Sequence, residues 1–462
     1  MAHQNAILTV ENKDVTFIKP SKPTPTTILS LSSIDNAPDN DFFMQSLHVY
    51  RWENHNSPNT PKLGPAKLIK VALSEALFYY YPLAGKLVRH ADGKFRINCN
   101  SEGVPFIEAI CNCSLSSIHY LDCNDVEIGK HFAIDFPSED EFGNQYPLVF
   151  KVTKFLCGGF TLVMGLSHAI LDGTGQSQFL RAVAELASGK AEPSVKPVWE
   201  RERLVGTYTS QPMQNPMDNA SFAVSPFLPT TDYSHECSKV DSESITRLKT
   251  SLMKESDNKE SMKKKGFTTF ETLAAYIWRS RTRAMKLSYD RKTLLVMTVG
   301  LRPHLLNPLP DGYYGNTIMD AFVTLTVREL NELPLLEVVK LIRESKEVAF
   351  SDDYIRHSID SMHTKPMEYY YERGGITFIT DWRHLGLLEK VDFGWKEPVN
   401  TMPVPSDMYG LIGLCNIFLP SNLDPSMIGG ARVYASLPSA AMPKFKEEMK
   451  ALTSVHKRNS KI

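Results

Sequence analysis

The stretch Phe160–Leu180, FTLVMGLSHAILDGTGQSQFL, places the tightest limit on the fold. Phe160, Leu162, Val163, Met164 and Leu166 form a short apolar run with little polarity between them, which predicts a buried strand. Gly173, Thr174 and Gly175 interrupt that pattern. Behind them Phe179, Leu180, Val183 and Leu186 recur at helical spacing, and Gly189 suits the helix end. His168 therefore sits at an interior turn where the strand runs out, with Asp172 just before the glycines.

A histidine and an aspartate at this spacing admit several chemistries. An imidazole titrates near neutral pH, so His168 can serve as a general base toward a hydroxyl or amine nucleophile. Asp172 would then orient the ring or hold the turn through an ion pair elsewhere. Equally, His168 can be a core or capping histidine and Asp172 a helix N-cap. No second His or Cys pair stands nearby at zinc-ligand spacing. Gly165-Leu166-Ser167-His168 lacks the second glycine of a serine-hydrolase elbow.

With 462 residues the chain has room for two or three domains. Apolar residues at 42 % supply substantial cores, and a net charge of −1 gives no general attraction to nucleic acid or anionic membrane. No apolar run approaches the ~20 residues that span a bilayer, and the N-terminal sequence does not read as a signal peptide. The seven cysteines are odd in number and lack CxxC, so a reduced cytoplasmic protein with free thiols is the simplest expectation.

Strands are expected at Phe43–Tyr50, Leu87–Arg89, Phe95–Asn98 and Leu148–Thr153, with an amphipathic helix over Pro65–Tyr81. Residues 196–240 lack periodicity, and 196–222 reads as a crossover between domains at 1–195 and 223–462. The second half is expected to hold strands at Ser238–Val240, Leu294–Gly300, Ile376–Thr380, Val391–Phe393, Gly410–Phe418 and Ala431–Leu437. Its helices fall at Ser242–Lys254, Thr269–Met285, Leu335–Val348 and Pro443–Leu452. Mixing without regular strand–helix alternation predicts a mixed α/β or α+β chain.

Other residues carry weaker signals. Lys263, Lys264 and Lys265 precede Thr268 and Thr269 at a helix start, a combination that suits the phosphates of a nucleotide-like cosubstrate or is simply a solvated basic loop. Neither GxxxxGK[ST] nor GxGxxG occurs. Arg302 follows a buried strand and can pair with Asp172, or is an ordinary surface arginine at a strand end. Thr380 and Trp382 offer a hydroxyl and an indole to a pocket for an aromatic acyl group, or pack in a core. Asp392, Phe393, Gly394 and Trp395 read as a structural plug.

Together these pieces resemble the plant BAHD acyltransferase family of CoA-dependent enzymes. The resemblance runs from Leu31–Asp35 through Tyr80–Lys86, Cys157–Phe160 and His168–Gly173. It continues over Thr269–Glu271, Trp278-Arg279 and Tyr313–Asn316 to Thr380–Trp382 and Asp392–Trp395. It implies two similar-sized, chloramphenicol-acetyltransferase-like domains, each a mixed sheet with helices, and a channel between them. It also implies His168 as general base, Asp172 held through Arg302, and Asp392–Trp395 as a distant structural motif. Thr380 and Trp382 are implied to lie near the transfer centre. Acyl-CoA is the implied cosubstrate, with no permanently bound cofactor, a small amine or alcohol as acceptor, and a monomeric state. Two positions depart from the family pattern: Lys396 replaces the last glycine of DFGWG, and Gly300 replaces an aspartate. Within the family the chain is most similar to the spermidine hydroxycinnamoyl transferase branch; the alternatives are an O-acyltransferase forming benzoyl, acetyl or similar esters of an alcohol and, from another class, a non-catalytic binding member of the fold. Glu139, Asp140, Glu141, Asp352 and Asp353 are the acidic residues then expected to be available to an ammonium-bearing acceptor.

Overall fold

The computed structural model describes residues 8–52, 63–122, 126–207, 216, 222–255, 266–362 and 374–454. The basic run Lys263, Lys264 and Lys265 lies outside the described residues.

The first half contributes β1 (Val10–Asn12), β2 (Thr16–Ile18), β3 (Thr27–Ser30), β4 (Phe43–Tyr50), α1 (Pro65–Tyr79), β5 (Lys86–Arg89), β6 (Phe95–Cys99), β7 (Val104–Cys111), β8 (Leu148–Lys154), β9 (Phe160–Ser167) and α2 (Gly173–Ala187). The second contributes β10 (Tyr233–Val240), α3 (Ser242–Glu255), α4 (Thr269–Ala284), β11 (Lys292–Gly300), β12 (Ile318–Thr326), α5 (Val327–Glu332), α6 (Leu335–Ala349) and α7 (Asp352–Ser361). It ends with β13 (Ile376–Asp381), β14 (Asn400–Pro403), α8 (Asp407–Ile412), β15 (Leu414–Phe418), β16 (Ala431–Pro438) and α9 (Met442–Thr453).

These strands form two large mixed sheets. One has the order β1-β7-β8-β9-β4-β14, with β2 also on β7; the other runs β10-β16-β15-β13-β11-β12. A small sheet, β3-β6-β5, flanks the first. Helices α1 and α2 bury Leu73, Leu77, Phe179 and Val183 with Phe150 and Leu162 of the first sheet. Helix α4 buries Leu273 and Trp278 in the second core. A third apolar cluster joins the halves, setting Val49, Val149 and Val163 with Phe418 and Tyr434.

The strand–turn–helix reading of Phe160–Leu180 holds, with one adjustment. The three residues expected to break the pattern form the first turn of α2 instead. Gly175 is there because the segment after Tyr314 crosses the helix start: a Cβ at that position would lie 2.2 Å from the Tyr314 carbonyl oxygen.

The structure redraws several elements. Val391–Phe393 is irregular rather than a strand, because its side chains plug a core instead of continuing a ladder. Gly410–Phe418 divides into the end of α8 and β15, broken at Gly413, whose φ of 71° ends the helix. Strand β12 and the short β14 carry no sequence signal strong enough to predict them. Strand β14 belongs to the second half of the chain yet pairs with β4, Asn400 opposite Val49. Leu387, Val391, Phe393 and Trp395 likewise sit in the first core. The chain thus re-enters the first domain after residue 385, and a boundary drawn in sequence alone misses this exchange. Cys99, Cys111, Cys113, Cys157 and Cys415 are free, but Cys237 is disulfide-bonded, a departure from thiols throughout.

Candidate active site

A cavity of about 1270 Å³ opens between the halves, with His168, Asp172, Arg302, Thr380 and Trp382 on its walls. The sequence places these five residues up to 214 positions apart, and the fold brings them to one space.

His168 follows the last residue of β9. Its N–H donates to the Phe42 carbonyl (2.9 Å), and its own carbonyl accepts from Asn316 Nδ2 (2.8 Å). The imidazole stacks on Phe42 with ring centroids 4.8 Å apart. Burial lowers its pKa, against the opposing charges of Asp172 and Asp35, so the neutral base form is favoured. Nδ1 is buried and finds no hydrogen-bond partner among the described residues.

Asp172 does not orient that ring by a hydrogen bond. Its carboxylate caps α2 by accepting from Gly175 N–H (2.8 Å), and Oδ2 accepts from both the N–H and hydroxyl of Thr317 (2.9 Å each). Arg302 approaches only to 4.0 Å. Its guanidinium donates instead to the Tyr313 and Gly315 carbonyls, at 2.8 and 3.2 Å. The expected Asp172–Arg302 pair is therefore loose, and Thr317 is the closer partner. Both residues fix the Tyr313–Thr317 segment that also holds His168 through Asn316.

The group that organises this crossing carries no local sequence signal. Arg201 donates from Nη1 to both oxygens of Asp35 (2.8 and 2.7 Å) and from Nη2 to the Ile170 carbonyl (3.0 Å). Asp35 also accepts from Asn316 N–H and Nδ2, at 3.1 and 2.8 Å. Arg201 and Asp35 are buried, at 1 % and 0 % exposure. Leu31–Asp35 and Tyr313–Asn316 entered only as motif resemblance; Arg201 was not singled out.

Thr380 accepts from Asn416 Nδ2 (3.0 Å) on the neighbouring strand. Trp382 is half-buried on the cavity wall. Phe393 and Trp395 lie away from it. Phe393 packs edge-on to Tyr50 (5.6 Å), and Trp395 packs on Trp52 and Phe160. Asp392 is exposed and accepts from Gly394 N–H (2.6 Å), tightening the turn. The segment thus fills a core of the first half, away from the cavity.

Thr268 and Thr269 stand outside the cavity lining. Thr268 and Glu271 form a capping box at the start of α4, and Glu271 is paired with Arg343 and Lys346. Thr269 Oγ1 accepts from Lys249 Nζ (2.8 Å). A carboxylate thus occupies the helix start expected to receive phosphates. The acidic residues expected for an amine acceptor are also elsewhere: Asp140 pairs with Lys86, and Asp352 and Asp353 pair with Arg356. None of these, nor Glu139 or Glu141, lines the cavity. Asp39 and Asp320 do, and sequence reasoning passed over both.

Two sheet-and-helix halves enclose a shared cavity with His168 on its wall, and comparison with known proteins gives the class, an acyl-transfer enzyme. A model of the Transferase family matches residues 8–452, and the chain belongs to that family, the acyl-CoA-dependent BAHD acyltransferases. It is 40 % identical to spermidine coumaroyl-CoA acyltransferase of Arabidopsis thaliana over 97 % of each chain. It is also 40 % identical to spermidine sinapoyl-CoA acyltransferase of the same plant, over 96 % of this chain and 98 % of the relative. Among solved structures, vinorine synthase superposes with a TM-score of 0.73 at 22 % identity, over 96 % of this chain and 98 % of that one, a likeness of fold. Among the described residues no helix is long and apolar enough to cross a membrane, and no group of residues could hold a metal ion.

Proposed function

We propose that this enzyme moves a hydroxycinnamoyl-type acyl group from CoA to a nitrogen of a polyamine such as spermidine, with His168 as general base. The observation that carries the reading is full-length 40 % identity to two acyltransferases named for spermidine. Its chemical support is a neutral imidazole on the wall of a cavity that also carries six aspartates against two arginines.

The acceptor amine attacks the thioester carbonyl in its neutral form. As the N–C bond forms, His168 takes the nitrogen's proton. The intermediate collapses with loss of the CoA thiolate, which the imidazolium protonates, leaving an amide and free CoA. Asn416 occupies an acceptor site of the Thr380 hydroxyl, leaving the Thr380 proton free to stabilise the carbonyl oxygen as charge develops. Phe378 and Trp382 supply apolar wall for an aromatic acyl group.

The test is mass spectrometry of products from coumaroyl-, caffeoyl-, benzoyl- and acetyl-CoA offered spermidine, putrescine and a set of alcohols. Amides of spermidine with hydroxycinnamoyl donors are expected. Ester products alone would replace this reading with an alcohol acyltransferase.

A further inference from the structure

The cavity wall from the second sheet is ordered by strand register. Thr380 pairs with Asn416 across β13 and β15, and Thr298 pairs with Asp320 across β11 and β12. Met297 pairs with Ile379 in the parallel β11–β13 ladder, so the next position sets Thr298 beside Thr380. Asn416, Thr380, Thr298 and Asp320 therefore form one row across four adjacent strands, and all four line the cavity. The row is joined by Asn416 Nδ2 to Thr380 Oγ1 (3.0 Å) and Thr298 Oγ1 to Asp320 Oδ1 (3.4 Å). Beside it runs an apolar row, with Leu414 paired to Phe378 and Val296 paired to both Phe378 and Phe322.

Charge in this row is unbalanced at one end. Asp320 faces Asp39, which arrives from the loop before β4 and lines the same cavity. No cation pairs with either among the described residues. The other lining carboxylates all have partners: Asp41 meets Arg89, Asp92 meets Arg96, Asp381 meets Arg383, and Asp172 meets Thr317. The two lining arginines are likewise engaged, Arg89 by Asp41 and Arg302 by backbone carbonyls. Burial and mutual repulsion push Asp39 up to about 7, and burial pushes Asp320 to about 6. A second observation stands at the opposite end. Asn416 is 1 % exposed, and its Oδ1 has no hydrogen-bond partner among the described residues, an acceptor ready for an N–H donor.

We propose that this row is the acceptor rail: Asp320 and Asp39 bind a distal ammonium of the polyamine while its methylenes follow the strands' crossing direction toward Thr380 and Asn416. The inference rests on the acyltransfer reading above and assigns the residues that select its acceptor. The dimensions agree. Two strand spacings separate Asp320 from Thr380, about 10 Å. The nine bonds between the terminal nitrogens of spermidine, extended, span roughly three residues' worth of chain, about 10–11 Å. An ammonium at Asp320 thus leaves the other terminal nitrogen near Thr380. A monoamine or alcohol has nothing to place at the acidic end.

The test compares wild type, Asp320→Asn and Asp39→Asn with coumaroyl-CoA, using spermidine and n-butylamine as acceptors. The ratio of kcat/KM for spermidine to that for n-butylamine should fall at least about tenfold in each variant, because a charged hydrogen-bonding partner is lost on one acceptor only. A general loss of structure would lower both and leave the ratio in place. In parallel, spermidine alone should raise the melting temperature of wild type and lose that effect in both variants. Wild type that acylates spermidine with an unchanged ratio in the variants overturns the rail and leaves the acyltransfer reading standing. Wild type that forms no spermidine amide overturns the reading on which it rests.

Discussion

His168, the proposed base, is fixed by its backbone and by ring stacking, with no hydrogen-bond partner on Nδ1 among the described residues. Its backbone is held on both sides, by Phe42 and Asn316, and its imidazole lies flat on Phe42. Replacement by alanine removes the base and leaves those backbone bonds, so turnover should drop about 10²- to 10⁴-fold with melting little changed. Steady-state rates beside a melting curve decide it, and undiminished turnover removes His168 from the mechanism. Because burial lowers the imidazole pKa, the limb that His168 itself contributes to kcat/KM should fall below the ordinary histidine value of about 6.5, separate from the higher limb set by deprotonating the amine acceptor. Asp39 makes a prediction of the opposite kind. Its carboxyl pKa in the folded protein is about 7, against 3.8 for the free side chain, so the native state holds the proton more tightly than the unfolded chain. The resulting destabilisation is fully present above pH 7 and is relieved as pH falls through that value. Asp39→Asn should therefore melt above wild type at pH 8, with the gap closing toward pH 5. A gap independent of pH would mean that the carboxylate is not strained. At this scale His168 was legible because a turn residue after an apolar run declares its own position. Asp39 and Asp320 were not, since nothing in either local sequence says that two distant carboxylates share a cavity.

At the scale of elements, periodicity located α1, α6 and α9 because each buries one helical stripe; α4 is buried almost all round, and β9 is covered on both faces. Periodicity failed where a segment is fixed by what it plugs. Val391–Phe393 reads as a strand by composition, yet Phe393, with Trp395 after it, inserts between aromatic side chains of β4 and β9 and their flanks, with no ladder to join. The backbone bends to permit this: Gly394 has a φ of 89° and Lys396 one of 64°. The left-handed region is natural for glycine and strained for lysine, which gives the family's usual glycine at the second position a physical reason. Lys396→Gly should stabilise the protein by up to about 1 kcal/mol, offset in part by the greater freedom of glycine in the unfolded chain. Thermal or urea unfolding at fixed pH measures it. Equal or lower stability would show that contacts made by the Lys396 side chain outweigh the backbone strain.

The whole molecule is tied together at a point that no single segment announces. Asp35 comes from the first half, Arg201 from the crossover and Asn316 from the second half, and the three converge without exposure to solvent. Arg201 also lies over Trp199, Tyr313 and Tyr314, so its charge is enclosed by rings as well as by the carboxylate. The same groups reach the His168 turn, Arg201 through the Ile170 carbonyl and Asn316 through that of His168. The arrangement of the halves and the position of the proposed base are therefore coupled. Arg201 is hard to find in sequence because it acts on partners 166 and 31 residues away and has no periodic companions. Removing one member of a buried pair strands the other's charge, at roughly 3–5 kcal/mol. Arg201→Met should accordingly melt well below wild type and lose turnover even at temperatures where it remains folded, as the His168 turn loosens. Asp35→Asn combined with Arg201→Met removes the stranded carboxylate and should recover part of the melting temperature, while the lost ties to Ile170 keep turnover low. Recovery of both quantities together would show that the pair only stabilises the molecule. Recovery of stability alone would show that it also places the base.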